Sequence, residues 1–274
     1  MSICCTGLLA AITLLSGPEP VEVHGFVDTY YYSANVSRGK IPFARPILFQ
    51  EFELDLVSRD LGQLGFYYAP THSLSGIRDK VCHRFDIEDD LLFTYGYDWS
   101  FADGWKLRSR VGYLWILSRA LKPPYKGVDD PSAREWYMRE TLVTPWVNFY
   151  AAVHYRVAPY CGVYFKSGFI RTFDLGHGFS LTGEFCAEGG NKEWCQHRYG
   201  SRMPWRESDY HAGPTDLRAD LTLNYEIIDN LIVSVGIHRF DMVMDEARAQ
   251  GEYHAAKGYR NDLTYYTAGL FWGF

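Results

Sequence analysis

The sequence predicts an all-β protein, a single antiparallel transmembrane β-barrel of about twelve strands, within a range of about 10–14. Three observations carry that expectation. Apolar and polar residues alternate with period two in one segment after another, as strands do when one face meets an apolar medium. No stretch of about 18 residues is continuously apolar, so a bundle of membrane-spanning helices is excluded and the closed barrel is the spanning architecture that remains. The chain ends in a segment whose even positions, Thr264, Tyr266, Ala268, Leu270, Trp272 and Phe274, form one apolar row.

The composition fits this reading. The 274 residues include 33 acidic and 27 basic side chains, a net charge of −6 that argues against general nucleic-acid binding. With 47% hydrophobic and 22% charged residues the chain is no disordered tail. The mean hydropathy of −0.22 is what an average over a greasy and a polar face gives. On the same reasoning the surplus of Tyr, Phe and Trp is expected largely on the lipid side.

Taken in order, residues 1–20 are expected to be a signal peptide or the remnant of one, and residues 21–274 a single barrel domain. Ile3 to Leu15 is the longest apolar run, followed by the breakers Ser16-Gly17-Pro18-Glu19-Pro20. It is too short to span a bilayer but suits a signal-peptide core, although no Lys or Arg precedes Arg38. A short buried helix is the other reading of this run.

Alternation then marks strands near residues 25–36, 46–58, 62–74, 83–100, 104–119, 135–144, 147–157, 160–174, 178–190, 215–228, 231–244 and 262–274. Between 84 and 99 the odd positions read Phe85, Ile87, Asp89, Leu91, Phe93, Tyr95, Tyr97, Trp99, against Arg84, Asp86, Glu88, Asp90 and Asp98 among the even ones. Trp105 to Leu117 repeats the pattern opposite Lys106, Arg108 and Arg110, and Leu217 to Ile227 does so opposite Asp216, Arg218, Asp220 and Glu226. Tight turns fall at Arg59–Leu61, Phe101–Asp103, Pro145–Trp146, Leu175–His177 and Asp229–Asn230, rich in turn-forming residues. Longer polar connections fall between them, except for a brief link at Ala158–Pro159. Short turns alternating with long loops is the outer-membrane pattern, turns in the periplasm and loops outside.

The final row resembles the C-terminal β-signal of bacterial outer-membrane proteins. That resemblance implies that Tyr266, Leu270, Trp272 and Phe274 are read by the barrel-assembly machinery. A second resemblance, to the TorF-like porins, rests on Tyr30-Tyr31-Tyr32, Arg38-Gly39 and Arg45-Pro46 followed by Phe49 to Leu56, and on the texture of Pro145 to Phe165 and Tyr225 to Val235. It implies a porin of the outer membrane.

With aromatic faces toward lipid, the opposite faces line the lumen. The lining candidates are acidic Glu51, Glu53, Asp55, Asp86, Glu88, Asp90, Asp98, Glu184, Asp216, Asp220 and Glu226, and basic Arg84, Lys106, Arg108, Arg110, Arg156 and Arg218, so the expected lumen is net acidic. Such charges need partners or water. Twelve strands give a backbone radius of roughly 12 Å, between a filled eight-stranded barrel and a wide porin. The expected function is a passive channel for small polar solutes or ions, with the Lys106–Arg108–Arg110 row and the acidic row of residues 51–55 setting up a transverse field. Asp98 and Lys106 flank one turn and are expected to neutralise each other. Beside the channel stand a plugged structural or adhesive barrel acting through its loops, and a lipid-acting enzyme.

The enzyme needs Ser, His and an orienting group within reach on the outer face. Ser109 and His83 fall at opposite ends of neighbouring strands, His154 and His238 point inward, and no Gly-x-Ser-x-Gly, His-Glu-x-x-His or phosphate-loop motif occurs. No enzyme, cofactor or metal site is therefore read. Cys186 and Cys195 bracket the start of a long loop and are a candidate disulfide in an oxidising compartment. The aromatic Trp194–Trp205 loop suits contact with lipopolysaccharide or an inward constriction. Expected partners are outer-membrane lipid and lipopolysaccharide, the assembly machinery and small polar solutes, with no nucleic acid.

Overall fold

The structure, a computed structural model, describes residues 21–37, 40–43, 46–74, 86–118, 132–158, 160–199, 210–253 and 260–274. Expectations for the leader, His83, Arg84 and Arg38-Gly39 lie outside these residues, as does the side chain of Asp86.

Twelve strands close into one antiparallel barrel. In chain order the elements are β1 (Glu22–Tyr32), the small hairpin β2 (Asn35–Ser37) and β3 (Lys40–Phe43), then β4 (Ile47–Ser58), β5 (Gly62–Ser73), β6 (Asp86–Ala102), β7 (Trp105–Ser118), β8 (Ser132–Val143), β9 (Asn148–Ala158), β10 (Gly162–Gly176) and β11 (Phe179–Gly190). Helix α1 (Lys192–Tyr199) follows, then β12 (Gly213–Ile228), β13 (Leu231–Met242), helix α2 (Asp245–Tyr253) and β14 (Asp262–Gly273). Each barrel strand pairs with its sequence neighbour in the wall, and β1 pairs with β14 to close it. All twelve coincide with the alternating segments. The expected first strand, 25–36, is divided, its end forming β2; β3 and the two helices lie in stretches expected to be loops and carry no long alternating run that would announce them.

The closure is completed at the C-terminus. The Gly25 and Phe274 backbones exchange N–H···O bonds of 2.9 Å in both directions. Gly25 needs its missing side chain here, because a Cβ would collide with the Phe274 ring.

All five short turns sit at one end, together with the start of β1 and the end of β14. Two of them place a non-glycine residue in the left-handed region: His177 (φ 55°) between Gly176 and Gly178, and Asn230 (φ 66°) after Asp229. The turn after β8 is held by the Thr144 hydroxyl, which accepts from the N–H groups of Trp146 (3.2 Å) and Val147 (3.1 Å) and donates to the Val147 carbonyl (2.6 Å).

The outer surface is aromatic and apolar. Trp99, Trp136, Trp146, Tyr266 and Trp272 are each more than half exposed, at 56, 58, 64, 57 and 54%. A continuous exposed surface of this kind belongs in lipid, not water. The predicted row Tyr266, Leu270, Trp272 and Phe274 lies on this face.

Tyrosine departs from the expected partition. Tyr30, Tyr32, Tyr67, Tyr137, Tyr150, Tyr164 and Tyr265 point into the barrel, where the Tyr67 and Tyr150 hydroxyls donate to carboxylates and the other five rings pack on one another or on His154. A phenol has an apolar body and a polar tip, so it suits a polar interior as well as a membrane surface.

The main buried cluster sits at the loop end. Asn191 caps α1: its side-chain oxygen accepts from the Trp194 N–H at 2.9 Å and from the Val163 N–H of β10 at 3.0 Å. Trp194 thereby turns inward onto Tyr164, with ring centroids 5.1 Å apart, and packs with Tyr199, Tyr210, Phe240, Met242, Met244 and Ala247. Of the two roles expected for the Trp194–Trp205 loop, its described part takes the inward one. On the opposite wall Leu114, Ile116 and Ala133 form a smaller apolar cluster with Leu92.

Candidate functional site: a charged and aromatic lumen

The alternation that sends apolar side chains outward sends a connected set of polar ones inward. On β1 and β4 the acidic residues face each other: Asp28 lies opposite Glu51 in the register, and the hydroxyl of Tyr67 on β5 donates to Glu51. Glu53 and Asp55 continue this row toward the turn end, while Glu88 and Asp90 occupy inward positions on β6.

The basic row follows on β7. Asp98 accepts from Nε of Arg108 and from Arg110, each at 3.1 Å. The expected Asp98–Lys106 pair is not formed: Asp98 is opposite Arg108 in the register and Lys106 is opposite Ser100. Arg110 also donates to Gln63 on β5. It reaches that far because it lies across Gly96, where any Cβ would overlap its side chain. The basic row is thus tied along the wall toward the acidic row of β4.

Further round, Glu135 on β8 is 1% exposed and holds two partners from β9, His154 at 3.1 Å and Arg156 at 2.8 Å. Arg156 also donates to the Tyr160 hydroxyl at 2.8 Å and stacks over its ring. Next to this group the Tyr150 hydroxyl donates to Glu184, and Lys166 lies 3.3 Å from the same carboxylate.

Arg218 on β12 draws three carboxylates together: Asp220 at 2.8 Å, Glu184 at 3.5 Å and Glu188 at 3.9 Å. His238 on β13 bonds Asp220 through Nδ1 (2.7 Å) and Thr267 through Nε2 (2.8 Å). With Tyr32, Thr182, Thr222 and Tyr265 these groups line a cavity of about 200 Å³.

Of the sequence candidates, Glu51, Glu53, Asp55, Glu88, Asp90, Lys106, Arg108, Arg110, Arg156, Arg218 and Asp220 occupy inward positions. They fall into separate groups round the wall, and Lys106 is exposed at the turn end. Sequence reasoning missed Asp28, Tyr67, Glu135, Arg139, Tyr150, Lys166 and Glu188. The odd–even alternation is plainest in the cleanest segments; carried to 22–32, 132–143 and 162–176 it places Asp28, Glu135, Arg139 and Lys166 inward as well.

The expected Cys186–Cys195 disulfide is not formed; both thiols are buried and free. Cys195 Sγ points back at the Gly190 carbonyl, 3.7 Å away, from the first turn of α1. Cys186 lies four positions down β11 from Gly190, roughly 13 Å along the strand and outside disulfide range.

Ser109 does face outward, but its hydroxyl donates to Glu140 at 2.6 Å and not to an imidazole. Among the described residues no group of three or more His, Cys, Asp or Glu side chains could hold a metal ion.

A closed twelve-stranded antiparallel barrel with an aromatic exterior and a charged interior is the architecture of outer-membrane barrels. Comparison with solved structures agrees on the fold. The NanC porin superposes with a TM-score of 0.51 at 11% identity, covering 90% of this chain and 98% of that one. An outer membrane channel from Pseudomonas putida F1 gives 0.49 at 11% identity, over 93% and 97% of the two chains. Outer membrane phospholipase A from Escherichia coli gives 0.44 at 15% identity, over 95% and 96%. No family model and no curated protein matches the sequence. The likeness is one of fold, and the narrower TorF-like resemblance gains nothing from it.

Proposed function

We propose that the protein is a porin-like passive channel of the bacterial outer membrane, admitting small polar solutes or ions through a narrow lumen. The observation that carries this reading is the charged inner wall, which runs from Lys106 and Asp98 near the turn end to the Arg218 cluster under the loop-end helices. A barrel filled by its own side chains is more stable with apolar contents than with ions needing partners or water. Inward carboxylates outnumber inward cations, so the lumen favours cations and neutral polar solutes over anions.

The test is single-channel recording on the full chain refolded into planar bilayers. Discrete conductance steps with a reversal potential on the cation side are expected. Silence from protein shown to be folded by its heat-dependent mobility overturns the channel.

A second reading, the plugged barrel acting through its loops, is favoured by the packing of Trp194, Tyr199, Tyr210 and Phe240 in one side of the mouth. The same recording decides between them.

A further inference from the structure

The lipid-facing wall carries a feature that neither conduction nor barrel closure uses. Among the described residues, charged outward side chains such as Arg134, Arg239, Asp241 and Asp262 lie at the loop-end rim. Two do not: Glu140 on β8 and Arg171 on β10. Glu140 lies between the exposed Trp136 and Trp146, which are about 25 Å apart along the membrane normal and so bracket the apolar band. A carboxylate there is costly, and a single hydrogen bond from Ser109 offsets little of that cost. Arg171 places its guanidinium over the Phe173 ring, 4.9 Å from the centroid, and its Nε is buried without a hydrogen-bond partner.

The register sets their relative position. Glu140 lies opposite Ala151 on β9, and Ala151 opposite Ser167 on β10. This row climbs toward the loop end, since Ala151 is close to the turn end of β9 whereas Ser167 is well up β10. From Ser167 the chain of β10 descends to Arg171. With strands about 4.8 Å apart and tilted by about 40°, climb and descent nearly cancel, leaving Arg171 within about 4 Å of Glu140 in depth and about 16 Å from it round the wall.

We propose that this face binds a second copy of the same chain. A two-fold axis along the membrane normal, passing over β9 between the two charges, places Glu140 of each copy against Arg171 of its partner at the same depth. Both charges are then paired in a low-dielectric medium, where an ion pair is strongest. The contact is self-complementary, as a two-fold interface must be. Near the axis lies Phe149, exposed on β9 midway between the two charges, where it meets its own copy, and Gly183 beside Arg171 leaves open space for the incoming chain. This inference rests on the membrane placement but not on conduction, so a silent channel leaves it standing.

The experiment uses the full chain in outer-membrane vesicles and in mild detergent. Oxidation of Phe149→Cys is expected to give a dimer-sized covalent species absent from the parent protein, which controls for the natural cysteines. Sedimentation is expected to show a dimer whose dissociation constant rises roughly thirtyfold or more in Glu140→Arg or Arg171→Glu, as loss of a buried charge pair requires. The double reversal restores it. Glu140→Gln and Arg171→Gln give the same direction should a reversal fail to fold. A folded protein that is monomeric in both settings, its charges covered by lipid, overturns the proposal. So does a dimer indifferent to the single reversals, or one that the double reversal does not restore.

Discussion

His238 and Tyr265 stack inside the barrel on paired positions of β13 and β14, with ring centroids 4.8 Å apart and planes inclined by 17°. The stack places an imidazole between Asp220 and Thr267 at the wall of the lumen cavity. His238→Ala removes two hydrogen bonds and enlarges the cavity. A stability loss of about 1–3 kcal/mol is expected in urea unfolding from detergent, with a larger unitary conductance in planar bilayers.

Glu135 and Asp216 are the most enclosed carboxylates among the described residues, and Glu135 is held between His154 and Arg156. Glu135→Ala leaves Arg156 partly buried without its counter-ion, a change that costs about 3–5 kcal/mol. A lower denaturation midpoint with an unchanged slope is the expected result, and Glu135→Gln, which keeps one acceptor, should fall between the two.

Arg110 bonds both Gln63 and Asp98 across Gly96. Arg110→Gln deletes one inward cation while Asp98 keeps Arg108. In a salt gradient the reversal potential is expected to move toward stronger cation selectivity, with little change in stability. A shift of the opposite sign would contradict the assignment of this row to the conducting wall.

Removal of Phe274 takes away both backbone bonds to Gly25 that finish the barrel seam, together with the last member of the outward row. The expected outcome is a marked fall in folded, heat-modifiable protein in the outer membrane. Phe274→Ala keeps the backbone bonds, so the comparison separates seam closure from recognition of the ring by the assembly machinery.

Cys195 is buried under α1, and that burial pushes its thiol up to about 12, whereas Cys161 is exposed. A maleimide at neutral pH is therefore expected to label Cys161 quickly in the folded protein and to reach Cys195 only after denaturation, as read by mass spectrometry of peptides. Cys195→Ser should leave the rapid labelling unchanged.

Most of the barrel was legible in the chain itself. Alternation is a local property, and a strand with one face in lipid must show it residue by residue. The twelve strands, the inward direction of the charged residues on the cleanest segments and the outward row ending at Phe274 all follow from it. What alternation cannot carry is the partner of an inward side chain. Asp98 meets Arg108 and Arg110 instead of Lys106 because register across a hairpin, not proximity to the turn, sets which side chains are opposite. Glu184 and Glu188 converge on Arg218 because the register sets Cys186 opposite it, with one carboxylate two residues to either side, while Asp220 lies two residues along its own strand. Inward tyrosines were indistinguishable from lipid-facing ones, since a phenol satisfies both settings. Cys186 and Cys195 are close in sequence but lie at different levels of β11 and α1. The sequence by itself determined the two faces of the wall. Only the tertiary structure decided which charges meet across it, because curvature, tilt and stagger are properties of the closed sheet and of no single strand.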